Sequence, residues 1–266
     1  MLKLPTSSVL YSALELQLIF SVHLAHWAAL LEAFVMKINE ELVRNLKAVQ
    51  AKISQSAIDA GRNPKDISLI GVSKQQPEDR IDASLAAGLR VFGENRVQEA
   101  EIRWVKRKRK FSGLEIHLIG PLQTNKVRSA VRLFDVIQTV DRERLAHTLG
   151  RVMAEEGRRL PCFVQVNTGA EEQKAGISIN DAKAFVKTCI DKYALNIVGL
   201  MCIPPVQDIA APHFAFLKQM ADQLNLPYVS MGMSADYPSA VELGATHVRV
   251  GSAIFGDRTF NAPTNH

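Results

Sequence analysis

Ile67-Ser-Leu-Ile-Gly-Val-Ser73 is a short, almost wholly apolar run that ends on a polar corner at Lys74 and gives way from Pro77 to a helical period. Seven further runs of this kind follow: Arg90–Gly93, Ile116–Gly120, Val136–Val140, Cys162–Asn167, Ile197–Ile203, Tyr228–Met233 and His247–Gly251. They are rich in Val, Ile, Leu and Phe and do not strictly alternate with polar residues, which suits parallel strands buried on both faces. Between them lie stretches of helical period: Pro77–Ala87, Asn125–Leu133, Arg142–Glu156, Asn180–Asp191, Pro212–Leu224 and Ala235–Leu243. Strands that alternate with helices imply βαβ units with right-handed crossovers. Eight such units predict an α/β fold, a single (β/α)8 barrel of the TIM type. An open doubly wound sheet is the alternative, but its G-x-G-x-x-G fingerprint is absent after the first run. An extra helix is expected ahead of the barrel, from about Ile38 to Ala60, stopped by Gly61-Arg-Asn-Pro64.

The composition agrees. The chain has 266 residues, of which 47% are hydrophobic and 22% charged. These are ordinary globular values, and they exclude a disordered chain, a collagen-like repeat and a disulfide-stapled miniprotein. A barrel needs roughly 250 residues, and no linker rich in Pro, Gly or Ser divides the chain after residue 36. The three cysteines, Cys162, Cys189 and Cys202, form no CxxC pair and no zinc cluster. They read as free thiols of a reducing compartment, the cytoplasm. Much of the net charge of +5 comes from Lys106-Arg-Lys-Arg-Lys110. This run reads as a solvated helix end; without interleaved aromatics it offers no stacking platform for nucleic acid.

The first thirty-five residues differ in character. Leu14 to Val35 is apolar and long enough to cross a bilayer. Glu15, His23, His26 and Glu32 interrupt it, and no signal-peptide cleavage site stands out. From Met36 a charged, amphipathic pattern begins at once. The expected organisation is an extension over 1–35 that an upstream start would explain, a barrel over 36–260 and a tail over 261–266. Membrane association is expected only if the extension is a genuine part of the protein.

In such barrels the chemistry sits at the C-terminal ends of the strands. Lys74 ends the first run. At the mouth of an apolar barrel, desolvation disfavours the ammonium form and makes the amine a better nucleophile toward an aldehyde; alone, a lysine there is also compatible with plain surface exposure. Gly232-Met-Ser234 follows the seventh run and Gly251-Ser252 the eighth. Barrels often build a phosphate site from these two loops, with glycine letting backbone N–H groups approach and serine adding a hydroxyl. Ser234 also suits the N-cap of a helix beginning at Ala235. No Lys-Ser or Lys-Thr follows Gly256, so this is not a P-loop. A Schiff-base lysine facing a phosphate cradle across one barrel mouth fits pyridoxal 5′-phosphate (PLP). Arg249 shares the face of Gly251. It would either meet the pyridine nitrogen, disfavouring electron-sink chemistry, or form a salt bridge to an acidic neighbour inside the barrel.

At these residues the sequence strongly resembles the pyridoxal phosphate homeostasis protein family, related to the N-terminal barrel of alanine racemase. The matching stretches are Gly71-Val-Ser-Lys74, Phe92-Gly-Glu-Asn95 with Val97-Gln-Glu99, His117-Leu-Ile-Gly-Pro-Leu-Gln-Thr-Asn-Lys126, and Val166-Asn-Thr168 with Lys174-Ala-Gly176. They continue with Gly199-Leu-Met-Cys-Ile-Pro-Pro205, Ser230-Met-Gly-Met-Ser-Ala-Asp236 and Val248-Arg-Val-Gly-Ser-Ala-Ile-Phe-Gly256, in family order from about Met36 to Arg258. The resemblance implies a fold type III PLP-binding barrel in which Lys74 holds PLP as a Schiff base. It implies that Ser234, Gly251 and Ser252 bind the phosphate, that Arg249 faces the pyridine nitrogen, and that Asn95 and Met233 line the cofactor. His117, Gln123, Asn125 and Lys126 belong to a family motif. Lys126 is either a second amine near the mouth or a helix-start residue in solvent. Cys202, where Thr is common, and Gly169-Ala170 are small departures away from the lysine and the cradle.

The function this implies is intracellular PLP (vitamin B6) homeostasis, as a monomeric carrier and regulator without turnover, with PLP-dependent apo-enzymes as prospective partners and no nucleic acid. The alternative is an amino-acid racemase of the alanine racemase type. That chemistry needs a tyrosine base from a second β domain of a partner subunit. The sequence ends fifteen residues after the eighth run, and none of Tyr11, Tyr193, Tyr228 and Tyr237 is an obvious second base.

Overall fold

The computed structural model describes residues 39–256 apart from residue 172. The extension over 1–35, the start at Met36 and the tail over 261–266 lie outside the described residues.

A helix over 39–59 (α1) opens the described chain. From Leu42 on it buries Leu42, Leu46, Val49, Ile53 and Ala57. That three-to-four-residue spacing is one helical face. Strand and helix then alternate: β1 (Ser68–Val72), α2 (Glu78–Ala86), β2 (Val91–Glu94), α3 (Val97–Lys110), β3 (Glu115–Leu118), α4 (Val127–Leu133), β4 (Val136–Val140), α5 (Glu143–Glu155) and β5 (Pro161–Asn167). The second half holds β6 (Ile177–Ser178), α6 (Ile179–Asp191), β7 (Asn196–Cys202), α7 (Ala210–Gln223), β8 (Tyr228–Ser230), α8 (Tyr237–Glu242), β9 (His247–Val250) and α9 (Ser252–Phe255).

The strands run in the order β4-β3-β2-β1-β9-β8-β7-β5, every pairing is parallel, and β4 pairs with β5 to close the ring. This is the expected eight-stranded barrel. The two-residue β6 is an addition, pairing with the end of β5 at Val166↔Ile177 and Asn167↔Ser178.

Every residue of β4 is buried, as a strand covered on both faces requires. The main core lies between strands and helices and takes in Trp104, Phe134, Phe214 and Leu149. The lumen holds a smaller apolar cluster of Val136, Phe163 and Met201. Among the described residues no helix is long and apolar enough to cross a membrane.

Two expectations about elements change. The helix after β8 starts at Tyr237 with Asp236 at its N-cap, not at Ala235. The strand before it stops at Ser230, because Gly232 turns the chain at φ 88° and a Cβ there would lie 2.5 Å from Ala240 Cβ. A further helix, α3, fills the stretch whose apolar period the basic run conceals. The run is its last turn, where cations complement the helix dipole. Arg107 and Lys108 are drawn into ion pairs with Glu78, Asp82 and Asp135, so only part of the run faces solvent freely.

At the start of β9 the His247 ring packs against Phe163 at 5.2 Å, Tyr228 at 5.4 Å and His117 at 5.9 Å between centroids. Burial, reinforced by the nearby His117, pushes the pKa of His247 down from 6.5 to about 3. A depressed histidine contributes stability that is complete above pH 6.5 and is lost as pH falls toward 3, because the unfolded chain takes up the proton first. The unfolding free energy is therefore expected to fall across that window, by an amount on the order of a few kcal/mol. His247→Phe should flatten the slope, as urea titrations at stepped pH would reveal.

Candidate functional site

The carboxyl ends of the strands surround a cavity of about 330 Å³, within the range of small-molecule sites. All seven residues picked from the sequence line it: Lys74 after β1, Asn95 after β2, Met233 and Ser234 after β8, Arg249 within β9, and Gly251 and Ser252 at the β9–α9 corner. Six further residues complete the wall: Val72, Gln76, Ile119, Ile203, Ala235 and Gly256. Ile119 and Ile203 lie inside motifs already noted. Gln76 carries no local signal, yet it is buried and its Oε1 has no hydrogen-bond partner. A buried acceptor without a donor is uncommon and leaves the wall ready to receive one.

Asn95 is set by a close approach. A Cβ on Gly120 would lie 2.3 Å from the Asn95 carbonyl oxygen and 2.6 Å from its Cα. Only glycine lets the β3–α4 loop pass there, which explains the Gly120-Pro121 corner physically.

On the opposite side, the Ser234 hydroxyl accepts from the Gly251 N–H at 3.2 Å and the Ala253 N–H at 3.3 Å. It therefore ties the β8 loop to the start of α9 instead of capping the helix that follows it. Asp236, at the N-cap of that following helix, makes no side-chain cap bond and accepts instead from the Met233 N–H ahead of it at 2.6 Å. With both lone pairs engaged, the Ser234 hydroxyl keeps its proton to donate. Ser252 adds a second, exposed hydroxyl. This corner can bind an anion.

Arg249 is buried, and burial draws its pKa down from the usual guanidinium range, with Cys202 and Asp236 opposing. Its partners are neutral: Nη1 donates to Ser230 Oγ at 2.7 Å and Nη2 to the Cys202 carbonyl at 2.8 Å. The salt bridge to an acid inside the barrel is thus not formed among the described residues, because the nearest acceptors are a hydroxyl and a carbonyl.

From Ser230 a chain of bonds runs through the lumen. The hydroxyl donates to Gln138 Oε1 at 2.6 Å, Gln138 Nε2 lies 2.7 Å from His117 Nδ1, and His117 Nε2 lies 2.6 Å from Glu115 Oε1. Strands β8 and β4 are not neighbours, so the Ser230–Gln138 bond crosses the barrel. A guanidinium can only donate. Every neutral group must therefore accept on its Arg249 side and donate toward Glu115, which places the His117 proton on Nε2. The hydrogen bond from His117, against the opposing effect of burial, holds the Glu115 carboxyl below its usual range.

The remaining motif residues sit elsewhere. Lys126 is the N-cap residue of α4 and does not line the cavity, so the helix-start reading holds. Gln123 and Asn125 are exposed in the turn before α4. Trp104 is wholly buried and donates to Glu94 Oε1 at 2.9 Å, so it offers no stacking face. The three cysteines are free and buried; burial pushes Cys189 and Cys202 each up to about 12 and Cys162 further still. No cluster that could hold a metal ion occurs among the described residues.

A closed parallel barrel with its cavity at the strand ends is the architecture of the family described as alanine racemase, N-terminal domain, which matches residues 38–259. Two relatives narrow the class. The pyridoxal phosphate homeostasis protein of Escherichia coli (strain K12) is 36% identical over 234 residues, covering 83% of this chain and 98% of its own. That of Pseudomonas aeruginosa is 37% identical over 231 residues, covering 84% and 99%. The chain belongs to the pyridoxal phosphate homeostasis protein family. A solved structure of PipY from Synechococcus elongatus PCC7942, with PLP bound, aligns with TM-score 0.69 and 35% identity over 81% of this chain and all of its own (100%).

The lumen chain can be probed directly. Gln138→Leu leaves the buried Ser230 hydroxyl and His117 Nδ1 without this partner, and is expected to destabilise the fold by about 2–4 kcal/mol. Chemical denaturation would measure it; a change below about 0.5 kcal/mol would mean that the chain contributes nothing.

Proposed function

We propose that this protein binds PLP at the barrel mouth and serves PLP homeostasis as a carrier without turnover. The observation that carries this reading is a single cavity with a primary amine at one end and an anion corner at the other. Lys74 supplies the amine; Ser234, Ser252 and the Gly251 backbone supply the corner. Arg249 adds a buried positive charge with only neutral partners, and Gln76 Oε1 is an acceptor still to be matched. The residues fit the cofactor. PLP itself supplies an aldehyde that condenses with a primary amine, releasing water.

In this reading Lys74 holds the cofactor covalently, Ser234 and Ser252 donate to its phosphate, and Asn95 and Met233 line its ring. Arg249 sets a fixed charge against the pyridine nitrogen and keeps a proton off it, which weakens the ring as an electron sink. That supports storage over carbanion chemistry. The naming of the relatives as homeostasis proteins points the same way. We read the protein as a cytoplasmic monomer whose recipients are PLP-dependent apo-enzymes.

The test is an absorbance spectrum of the purified protein before and after borohydride, followed by peptide mapping. A yellow protein with a pyridoxyl group on the Lys74 peptide is expected, and Lys74→Ala should lose the group while keeping the fold. A colourless protein that takes up no PLP overturns the reading. Ser234→Ala should weaken PLP retention by about tenfold, the scale of one lost hydrogen bond to a charged group; equilibrium dialysis would measure this.

A further inference from the structure

The groups that hold Lys74 in place lie behind the cavity. Ser73 to Gln76 form a four-residue turn, in which the Gln76 N–H donates to the Ser73 carbonyl at 3.1 Å. Lys74 takes the second position and Gln75 the third, at φ 58°. A positive φ at the third position is the mark of a type II turn, where glycine or asparagine is the usual occupant. Glutamine is strained there.

One side chain spans this turn. Arg103 of α3 donates from Nη1 to the Ser73 carbonyl at 2.6 Å and from Nη2 to the Gln76 carbonyl at 3.0 Å. The carbonyls that begin and end the turn thus rest on one planar guanidinium, whose fixed fork suits two acceptors. Arg103 is itself pinned. Nη1 also reaches Glu94 Oε1 at 2.9 Å, and Nε reaches Glu78 Oε1 at 2.9 Å. Glu94, wholly buried at the end of β2, takes the Ser73 hydroxyl at 2.7 Å as well. Neither Arg103 nor Glu94 lines the cavity.

We propose that Arg103 is a positioning residue for the Lys74 amine: its guanidinium clamps both ends of a strained turn and so fixes where the amine enters the cavity. The role rests on Lys74 being the amine that takes the cofactor, but the clamp belongs to the unliganded chain and can be read there. It differs from a general structural role, which would tie α3 to α2 through Glu78 without setting the turn.

Two measurements on the full chain test it: competitive amine labelling of the apo protein with acetic anhydride, read by mass spectrometry across pH, and PLP titration. In Arg103→Leu the labelling profile of Lys74 should move toward that of an exposed lysine such as Lys52. PLP binding should weaken by about tenfold, the scale of a lost charge-assisted bond. Glu78→Gln removes the outer carboxylate and leaves both carbonyl bonds, so both readouts should stay as in the unaltered protein. The decisive variant adds Gln75→Gly to Arg103→Leu. Glycine takes the positive φ without strain, so PLP affinity should recover to within about threefold of the unaltered protein while the melting temperature stays low. If Arg103→Leu does not fold, Arg103→Gln replaces it in both arms. An unchanged Lys74 profile with unchanged PLP affinity, or no recovery on adding glycine, overturns the clamp. If the unaltered protein takes up no PLP, the cofactor reading fails, and the labelling arm still decides the clamp.

Discussion

Closure of the sheet is the constraint on which everything else rests. The first and last strands pair over four residues, from Ser68↔His247 to Gly71↔Val250, and β4 meets β5 on the far side. Closing removes exposed edges and, because all strands run one way, gathers every carboxyl end at one rim. Lys74 and Gly251, far apart in the chain, become neighbours only through this pairing. The β1–β9 seam does more than complete the ring: it brings the amine and the anion corner into one cavity.

The lumen shows what a closed barrel makes possible. Aliphatic side chains alone would fill it more stably, since a buried charge usually needs a countercharge close by. Here Arg249 is met by a hydroxyl and a carbonyl, with the carboxylate of Glu115 at the end of a chain of neutral groups. The chain satisfies each polar atom without cancelling the charge at its cavity end. An arrangement that departs from the most stable filling is expected where function is placed.

The barrel was legible because its signal is local. Each strand is a short apolar run and each corner a break in period, so eight units could be counted from the order of residues along the chain. The strand-end rule then pointed to Lys74, Ser234, Arg249 and Ser252, and the family resemblance added Asn95 and Met233. What escaped was set by distance across the fold. Ser230 and Gln138 meet across the lumen from non-adjacent strands, and Arg103 reaches the Lys74 turn from a different unit; no local pattern encodes either meeting. Ser234 illustrates the same limit. Its neighbours in sequence suggest a cap for the helix that follows it, but the N–H groups it accepts from, those of Gly251 and Ala253, lie at the start of α9. The basic run concealed α3 by lowering its apolar content, although Val97, Ala100 and Trp104 keep a buried face at helical spacing.

The cysteines carry a consequence of a different kind. Thiol chemistry runs through the thiolate, and in this protein each sulfur is both walled off and held in its protonated form. Cys162 and Cys202 lie on adjacent strands, and Cys189 lies on α6. An alkylating reagent therefore meets no reactive sulfur until the barrel parts or a helix lifts away. The chain carries three built-in clocks whose modification rates record how often each region opens.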